Sequence, residues 1–272
     1  MDNKNTQNRK VTVVIPTLNE ERTIKRIIQE CQPHAKEILV TDGKSKDNTV
    51  NIARKLGVKV ITDAGRGKGC ALRDSRKYIT GEITVFIDAD GSHDPNDIPK
   101  LIQPILDNKA DHVTGSRLLG GSSELHGGFD EFFRLMGSSF ITACINKHFN
   151  IRLSDSQNGF RAINTSVLND LDLEENIFTI EQEMIIKTLK KGYRMAEVPT
   201  HEYCREFGCS NIKLSKVWFR YVFSFVKYLY FTGSKVVKEP DYSNIRVRKP
   251  KRADAPIYLK PVNTSNKSDL NW

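Results

Sequence analysis

Cysteine is scarce and unpatterned in this chain. Cys31, Cys70, Cys144, Cys204 and Cys209 are odd in number and contain no CxxC pair. That argues against a disulfide framework or a structural zinc site and for a reducing compartment. Long apolar runs are also missing: none reaches the roughly 18 residues a spanning helix needs, so none is expected. The opening MDNKNTQNRK holds no apolar segment, and no secretory signal is expected there. Acidic residues fall short of basic ones, 33 against 42, for a formal net charge of +9. An anionic partner follows, whether nucleic acid, phosphorylated ligand or anionic membrane surface. No RNP, KH or zinc-finger signature is present, and no nucleic acid is expected.

What is present is an alternation. Strand-like runs at Val11–Ile15, Glu37–Thr41, Val58–Thr62, Ile83–Ile87 and His112–Gly115 are separated by helical spacings. Ile24, Ile27, Ile28 and Cys31 share one face, with Thr17 and Glu20 as a capping-box pattern ahead of them. Val50, Ala53 and Leu56 share another, ended by Gly57. This order predicts an α/β fold with a mostly parallel central sheet and helices on both faces. Ligands of such sheets bind beyond the carboxyl ends of the strands. The clusters PTLNE, TDGKSKDNT and DADGSHD each follow a strand and converge on that edge.

After residue 115 the pattern changes: helices are expected at 129–148 and 176–191, and a strand at Tyr193–Val198. Residues 214–231 read LSKVWFRYVFSFVKYLYF, with Lys213, Lys216, Arg220, Ser224 and Lys227 as one polar stripe. An amphipathic helix lying in a membrane interface fits, as does a helix docked on the protein's own core or in an oligomer interface. Four regions are expected: a polar extension at 1–10, a domain at 11–212, the aromatic and basic helix at 213–232, and a basic, poorly ordered tail at 233–272.

The stretch VFIDADGSHDP ends a buried-looking strand in two carboxylates, Asp88 and Asp90. Residues i and i+2 point the same way, so the like charges face one spot. A hard divalent cation, Mg or Mn, would remove the repulsion. An ordinary turn of Asp, Gly, Ser and Pro explains the segment as well.

Eight motifs in order, VVIPTLNE, VTDGKSKDNT, GRGKGCALR, FIDADGSHDP, TGSR, DSQNGFRA, FTIEQEM and AEVPTHEYCREFGCSNIK, make residues 10 to 232 resemble family 2 glycosyltransferases of the GT-A fold. The resemblance is to the polyprenyl-phosphate sugar transferases typified by dolichyl-phosphate mannose synthase. It implies a nucleotide-sugar donor, GDP-mannose or UDP-glucose, a polyprenyl-phosphate acceptor, and inversion by single displacement at the cytoplasmic face of a membrane. Pro16, Leu18, Asn19, Glu20 and Asp42 would line the nucleoside pocket, although Glu20 also suits a helix cap. Lys68, at a helix start between Gly67 and Gly69, would meet the diphosphate with Asp88 and Ala89. Asp88 and Asp90 would hold Mg or Mn. Gly43 stands where relatives often carry a second acid, and Ser92 where some carry a glutamine metal contact.

The resemblance further implies that Arg117, Arg134, Ser138, Arg205 and Lys213 hold the acceptor phosphate, for which arginine's planar fork is suited. Surface ion pairing would explain any one of these arginines alone. A phosphate acceptor needs no general base. A hydroxyl on a glycan, glycolipid or small molecule would need one, and Asp155 is the first candidate for a base or for orienting the acceptor, with Glu183 the second. Asp155, Asp90 and Arg117 are the expected catalytic residues. His93 lies near the expected site, where a structural role competes.

Overall fold

A computed structural model of the chain describes residues 10–123, 129–205, 207, 214–232 and 255–259, and of residues 129–135 and 214–218 the backbone alone. The sheet is built around β1 (Val11–Thr17), flanked in parallel by β2 (Glu37–Asp42) and β4 (Ile83–Phe86). β3 (Lys59–Thr62) extends β2 in parallel. On the other side come β6 (Arg161–Asn164), β5 (His112–Ser116), β7 (Met195–Pro199) and β8 (Ile257–Leu259), giving the order β3-β2-β1-β4-β6-β5-β7-β8. β6 runs antiparallel to both β4 and β5, and β8 antiparallel to β7; the other six strands share one direction.

Side-chain alternation along β1 loads both faces. Val11, Val13 and Ile15 join the face covered by α1 (Ile24–Cys31) and α4 (Ile98–Leu106), whereas Val14 joins Leu39, Phe86 and Ile163 on the opposite face. That second face is closed by Leu72 of α3 (Lys68–Ser75), Val167 and Leu168 of α7 (Thr165–Asp170), and Ile180 and Met184 of α8 (Ile180–Lys190). Apolar positions on both faces are what a covered sheet requires, and why its strands read as nearly continuous apolar runs. The remaining helices are α2 (Thr49–Lys55), α5 (Arg117–Gly120), α6 (Phe129–Phe149) and α9 (Leu214–Val226).

Three expectations are corrected. Thr17 lies in β1 and α1 begins at Ile24, so Thr17 and Glu20 form no capping box. Instead Thr23 Oγ1 donates to Glu20 Oε2 at 3.2 Å. The polar stripe on α9 is not uniformly solvated. Ser224 is buried, and Lys227 turns onto Glu174 at 2.6 Å. The reason is that Phe225, Tyr228 and Leu229 pack into a third cluster with Ile141, Ile145, Ile185 and Ile186. The opposite side leaves Phe223, Tyr230 and Phe231 at 60%, 62% and 80% exposure. Finally, Ile257–Leu259, inside the segment expected to be poorly ordered, form β8 against β7. Among the described residues, no helix is long and apolar enough to cross a membrane.

Candidate active site

The carboxyl ends of β1, β2, β4, β5 and β7 open on one edge, and the antiparallel β6 brings a further loop to it. Because Phe86 pairs with Arg161, the chain enters β6 where β4 leaves, so residues 154–160 lie beside Asp88 and Asp90. Gly159 is the closest point: a Cβ there would sit 2.6 Å from Lys68 Nζ and 2.9 Å from Asp88 Oδ2.

Asp88 is held by Lys68, whose Nζ lies 2.7 Å from Oδ1 and 2.8 Å from Oδ2. The same Nζ is 2.9 Å from Glu181 Oε1 on α8. Burial disfavours both charges, but the pairing prevails: Lys68 is raised above an ordinary lysine and Asp88 falls below the usual carboxylate range. Glu181 Oε2 is buried and has no hydrogen-bond partner among the described residues. The glycines of GRGKG serve the chain's own backbone. A Cβ at Gly67 would lie 2.7 Å from the Asn176 carbonyl oxygen, and one at Gly69 would lie 2.5 Å from that of Glu175. Gly67 also has φ +119°, a region that favours glycine. At both glycines the close approach seen is to the backbone of residues 175–177.

Asp90 accepts from Ser92 N at 3.1 Å and Ser92 Oγ at 2.7 Å, and its Oδ2 is 3.2 Å from Arg205 Nε. Burial and then the nearby Asp90 raise the Glu20 carboxyl. Ala89 is buried between the two aspartates. His93 is buried, stacks on Phe160 with centroids 5.2 Å apart, and is pushed below an ordinary histidine, first by burial. Its ring forms one wall of the site.

The flanking loops are ordered by their own side chains. Asp42 accepts from Lys44 N at 3.0 Å and from Ser45 N at 3.1 and 3.2 Å. Asn19, at φ +58°, receives Lys46 N on Oδ1 at 2.8 Å and donates its own N–H to Ser45 Oγ. Pro16 is half-buried and Leu18 exposed.

On the other flank Arg117 lies against Asp155. Nε donates to Oδ2 at 2.6 Å and Nη2 to Oδ1 at 3.0 Å, a bidentate pair. Its Nη1 reaches Glu202 at 3.3 and 3.4 Å. Burial alone would raise Asp155, but Arg117 and backbone N–H groups hold it below the usual range. Both oxygens of Asp155 are thus engaged by Arg117, whose side chain they orient. Glu183 is also engaged: it receives Glu174 N and Glu175 N at 2.8 Å and pairs with Lys187 at 2.7 Å. Ser138 is half-buried on α6, one turn beyond Arg134, whose backbone alone is described. Lys213 lies outside the described residues.

Two residues the sequence reading passed over belong here, Glu181 and Glu202. The first sits in FTIEQEM two positions before Glu183, and only its meeting with Lys68 distinguishes them. Glu202 follows β7 at the ligand edge, a position that marked PTLNE and DADGSHD and could have marked it.

Residue types at this edge are consistent with a divalent cation. Six carboxylates, Glu20, Asp88, Asp90, Asp155, Glu181 and Glu202, face four cations, Lys68, Arg117, Arg205 and the buried Arg161. A diphosphate would bring further negative charge to these carboxylates, and hard carboxylate oxygens suit Mg or Mn. Among the described residues no group of three or more His, Cys, Asp and Glu is arranged to hold a metal. The donor set fits an ion that the diphosphate helps to ligate.

Comparison with known proteins places this arrangement. The sequence model of glycosyl transferase family 2 matches residues 12–172. The chain belongs to glycosyl transferase family 2. Among relatives of this family member, a UDP-N-acetylglucosamine–dolichyl-phosphate N-acetylglucosaminyltransferase of Methanococcus voltae is 30% identical over 225 residues, covering 74% of this chain and 88% of the relative. Glycosyltransferase AglJ of Haloferax volcanii is 29% identical over 200 residues, covering 73% of this chain and 64% of its own length. The fold of the transferase superposes on glucosyl-3-phosphoglycerate synthase of Mycobacterium tuberculosis crystallised with Mg2+ and uridine diphosphate. The TM-score is 0.66 at 20% identity, with 88% of this chain and 92% of that one covered. The same synthase with Mn2+, UDP-glucose and phosphoglyceric acid gives 0.66 at 21% identity. The transferase is thus a nucleotide-sugar-dependent enzyme with a GT-A fold.

Proposed function

We propose that this transferase moves a hexose, mannose in preference to glucose, from a nucleotide sugar to a polyprenyl phosphate at the cytoplasmic face of a membrane. One observation carries the acceptor class: the carboxylate best placed to act as a base, Asp155, is bound in a bidentate pair with Arg117. An alkyl phosphate with a second pKa of about 6 is already mostly dianionic near neutral pH and attacks without a base. The dolichyl-phosphate acceptor named for the Methanococcus voltae relative supports the same class.

Pro16, Leu18, Asn19, Glu20 and Asp42 form the nucleoside wall of this reading. Lys68, Asp88 and Ala89 face the diphosphate. Asp88 and Asp90 would hold Mg or Mn, which when bound neutralises charge on the departing nucleoside diphosphate. Arg117, oriented by Asp155, offers Nη1 to the acceptor phosphate, with Arg205 and, from the sequence, Arg134, Ser138 and Lys213 around it. Binding a phosphate dianion in place of the longer Glu202 contact sets the attacking oxygen opposite the leaving group. The anomeric carbon then passes through an oxocarbenium-like transition state with inversion. The exposed side of α9 would lie in the lipid interface.

Radiolabel transfer tests this reading. Purified protein with Mn or Mg and a panel of GDP-mannose, UDP-glucose and UDP-N-acetylglucosamine is offered polyprenyl phosphate or, separately, polyprenol and simple glycosides. Product with polyprenyl phosphate alone, lost in Asp90→Ala and Arg117→Ala, is expected and names the sugar. Transfer only to hydroxyl acceptors overturns it.

A further inference from the structure

Glu197 occupies the middle of β7 with Met195, Ala196 and Val198, all fully buried. A carboxylate at 0% exposure among apolar neighbours is costly unless its oxygens are matched. No cation pairs with it among the described residues. Its oxygens are matched instead by one short segment: Oε2 receives Ser154 N at 2.8 Å, and Oε1 receives Ser154 Oγ at 3.0 Å and Asp155 N at 2.9 Å. That segment carries the carboxylate that orients Arg117. The far end of the same loop is anchored separately, with Phe160 N on Asn158 Oδ1 at 2.8 Å and Arg161 on the Asn158 carbonyl.

We infer that Glu197 is a positioning residue: its ionised carboxylate pins the Ser154–Asp155 backbone and thereby fixes Arg117 toward the acceptor. Two backbone N–H groups and a hydroxyl converge on two oxygens, and an amide in place of the carboxylate sets its own N–H against one of those backbone donors. A protonated carboxyl keeps them only as weaker neutral bonds and with the Ser154 hydroxyl, which also lies 2.6 Å from Ser116 Oγ, turned from donor to acceptor. Burial lifts Glu197 to about 7, with the neighbouring Asp155 charge adding to it. Asp155 is the charged group that faces it from the loop; the strand neighbours in register, Thr114 on β5 and Ile257 on β8, are uncharged, and the buried Arg161 stands one strand further along the same row, beyond Thr114. The pin therefore loosens as pH falls through neutrality. This rests on the reading of Arg117 as an acceptor contact, and the test separates the two.

Hydrogen exchange of a peptide covering residues 153–159 in the full chain, corrected for intrinsic chemistry, is followed from about pH 8 to about pH 6. Protection is expected to fall about tenfold in the wild type over that range, and to be low and flat in Glu197→Gln. Ser154→Ala removes a donor to the ionised form and should move the midpoint upward, which serves if Glu197→Gln does not fold. In transfer assays Glu197→Gln should raise the KM for polyprenyl phosphate about tenfold and leave that for the nucleotide sugar unchanged. Flat protection in the wild type, or wild-type protection in Glu197→Gln, overturns the inference. Loosening of the loop with an unchanged acceptor KM upholds Glu197 as the pin and overturns Arg117 as the acceptor contact.

Discussion

Replacing Gly159 by alanine would place a carbon 2.6 Å from Lys68 Nζ and 2.9 Å from Asp88 Oδ2, closer than any real contact allows. The ion pair must move, while the backbone, which is not in the left-handed region at this position, does not. We expect Gly159→Ala to weaken nucleotide-sugar binding about tenfold by calorimetry at a cost of about 1–3 kcal/mol in stability. Unchanged binding would mean that the Lys68–Asp88 pair takes no part in holding the donor. The same residue shows how side chains here answer one another. Lys68 satisfies two acids on different elements, and Arg117 does likewise with Asp155 and Glu202.

At the scale of elements, two additions to the sheet's edge separate packing from surface. Leu259 of β8 is 1% exposed within the cluster that holds Phe225 and Leu229. Truncating it to alanine should cost about 2–5 kcal/mol by urea denaturation, in the range for buried leucines. A value near zero would show that β8 contributes nothing to the fold. On α9 and the turn that continues it, Phe225 faces the core, and Phe223 and Phe231 face outward. The double variant Phe223→Ser, Phe231→Ser should leave the melting temperature unchanged and reduce co-sedimentation with anionic liposomes severalfold. Loss of thermal stability without loss of liposome binding would assign that face to a protein contact instead.

For the whole molecule, buried carboxyls and buried histidines both enter the dependence of stability on pH. Glu197 is raised from 4.5 to about 7, so between these values the folded protein binds more protons than the unfolded chain. Stability from this group is therefore lost as pH rises through that window. Glu20, raised by burial and by Asp90, acts in the same direction. Asp88 and Asp155 are lowered, and their contribution is present above the ordinary aspartate range and lost only as pH falls below it. His93 and His112, pushed below an ordinary histidine by burial, act in the opposite sense as pH falls below about 6.5. The Glu197 contribution is therefore read as a difference: between about pH 5 and about pH 8 the wild type should lose more stability, or gain less, than Glu197→Gln. An equally steep slope in that variant would assign the dependence to other groups.

The sequence by itself determined the succession of strands and helices up to residue 115, the edge on which ligand residues gather, and the paired acids of DADGSHDP. Each of these rests on patterns a few residues long: side-chain alternation, helical spacing, and polar clusters directly after strands. Family motifs added Arg117, Asp155 and Arg205. Only the tertiary structure decided which charges meet. Lys68 finds Asp88 across 20 residues, Arg117 finds Asp155 across 38, and Glu197 finds the Asp155 backbone across 42. It also decided that β6 runs backward between β4 and β5, which carries the 154–160 loop beside Asp88 and sets Asp155 against Arg117. Such contacts depend on sheet order and strand direction, and the short-range pattern of a strand specifies its buried face without specifying its neighbours.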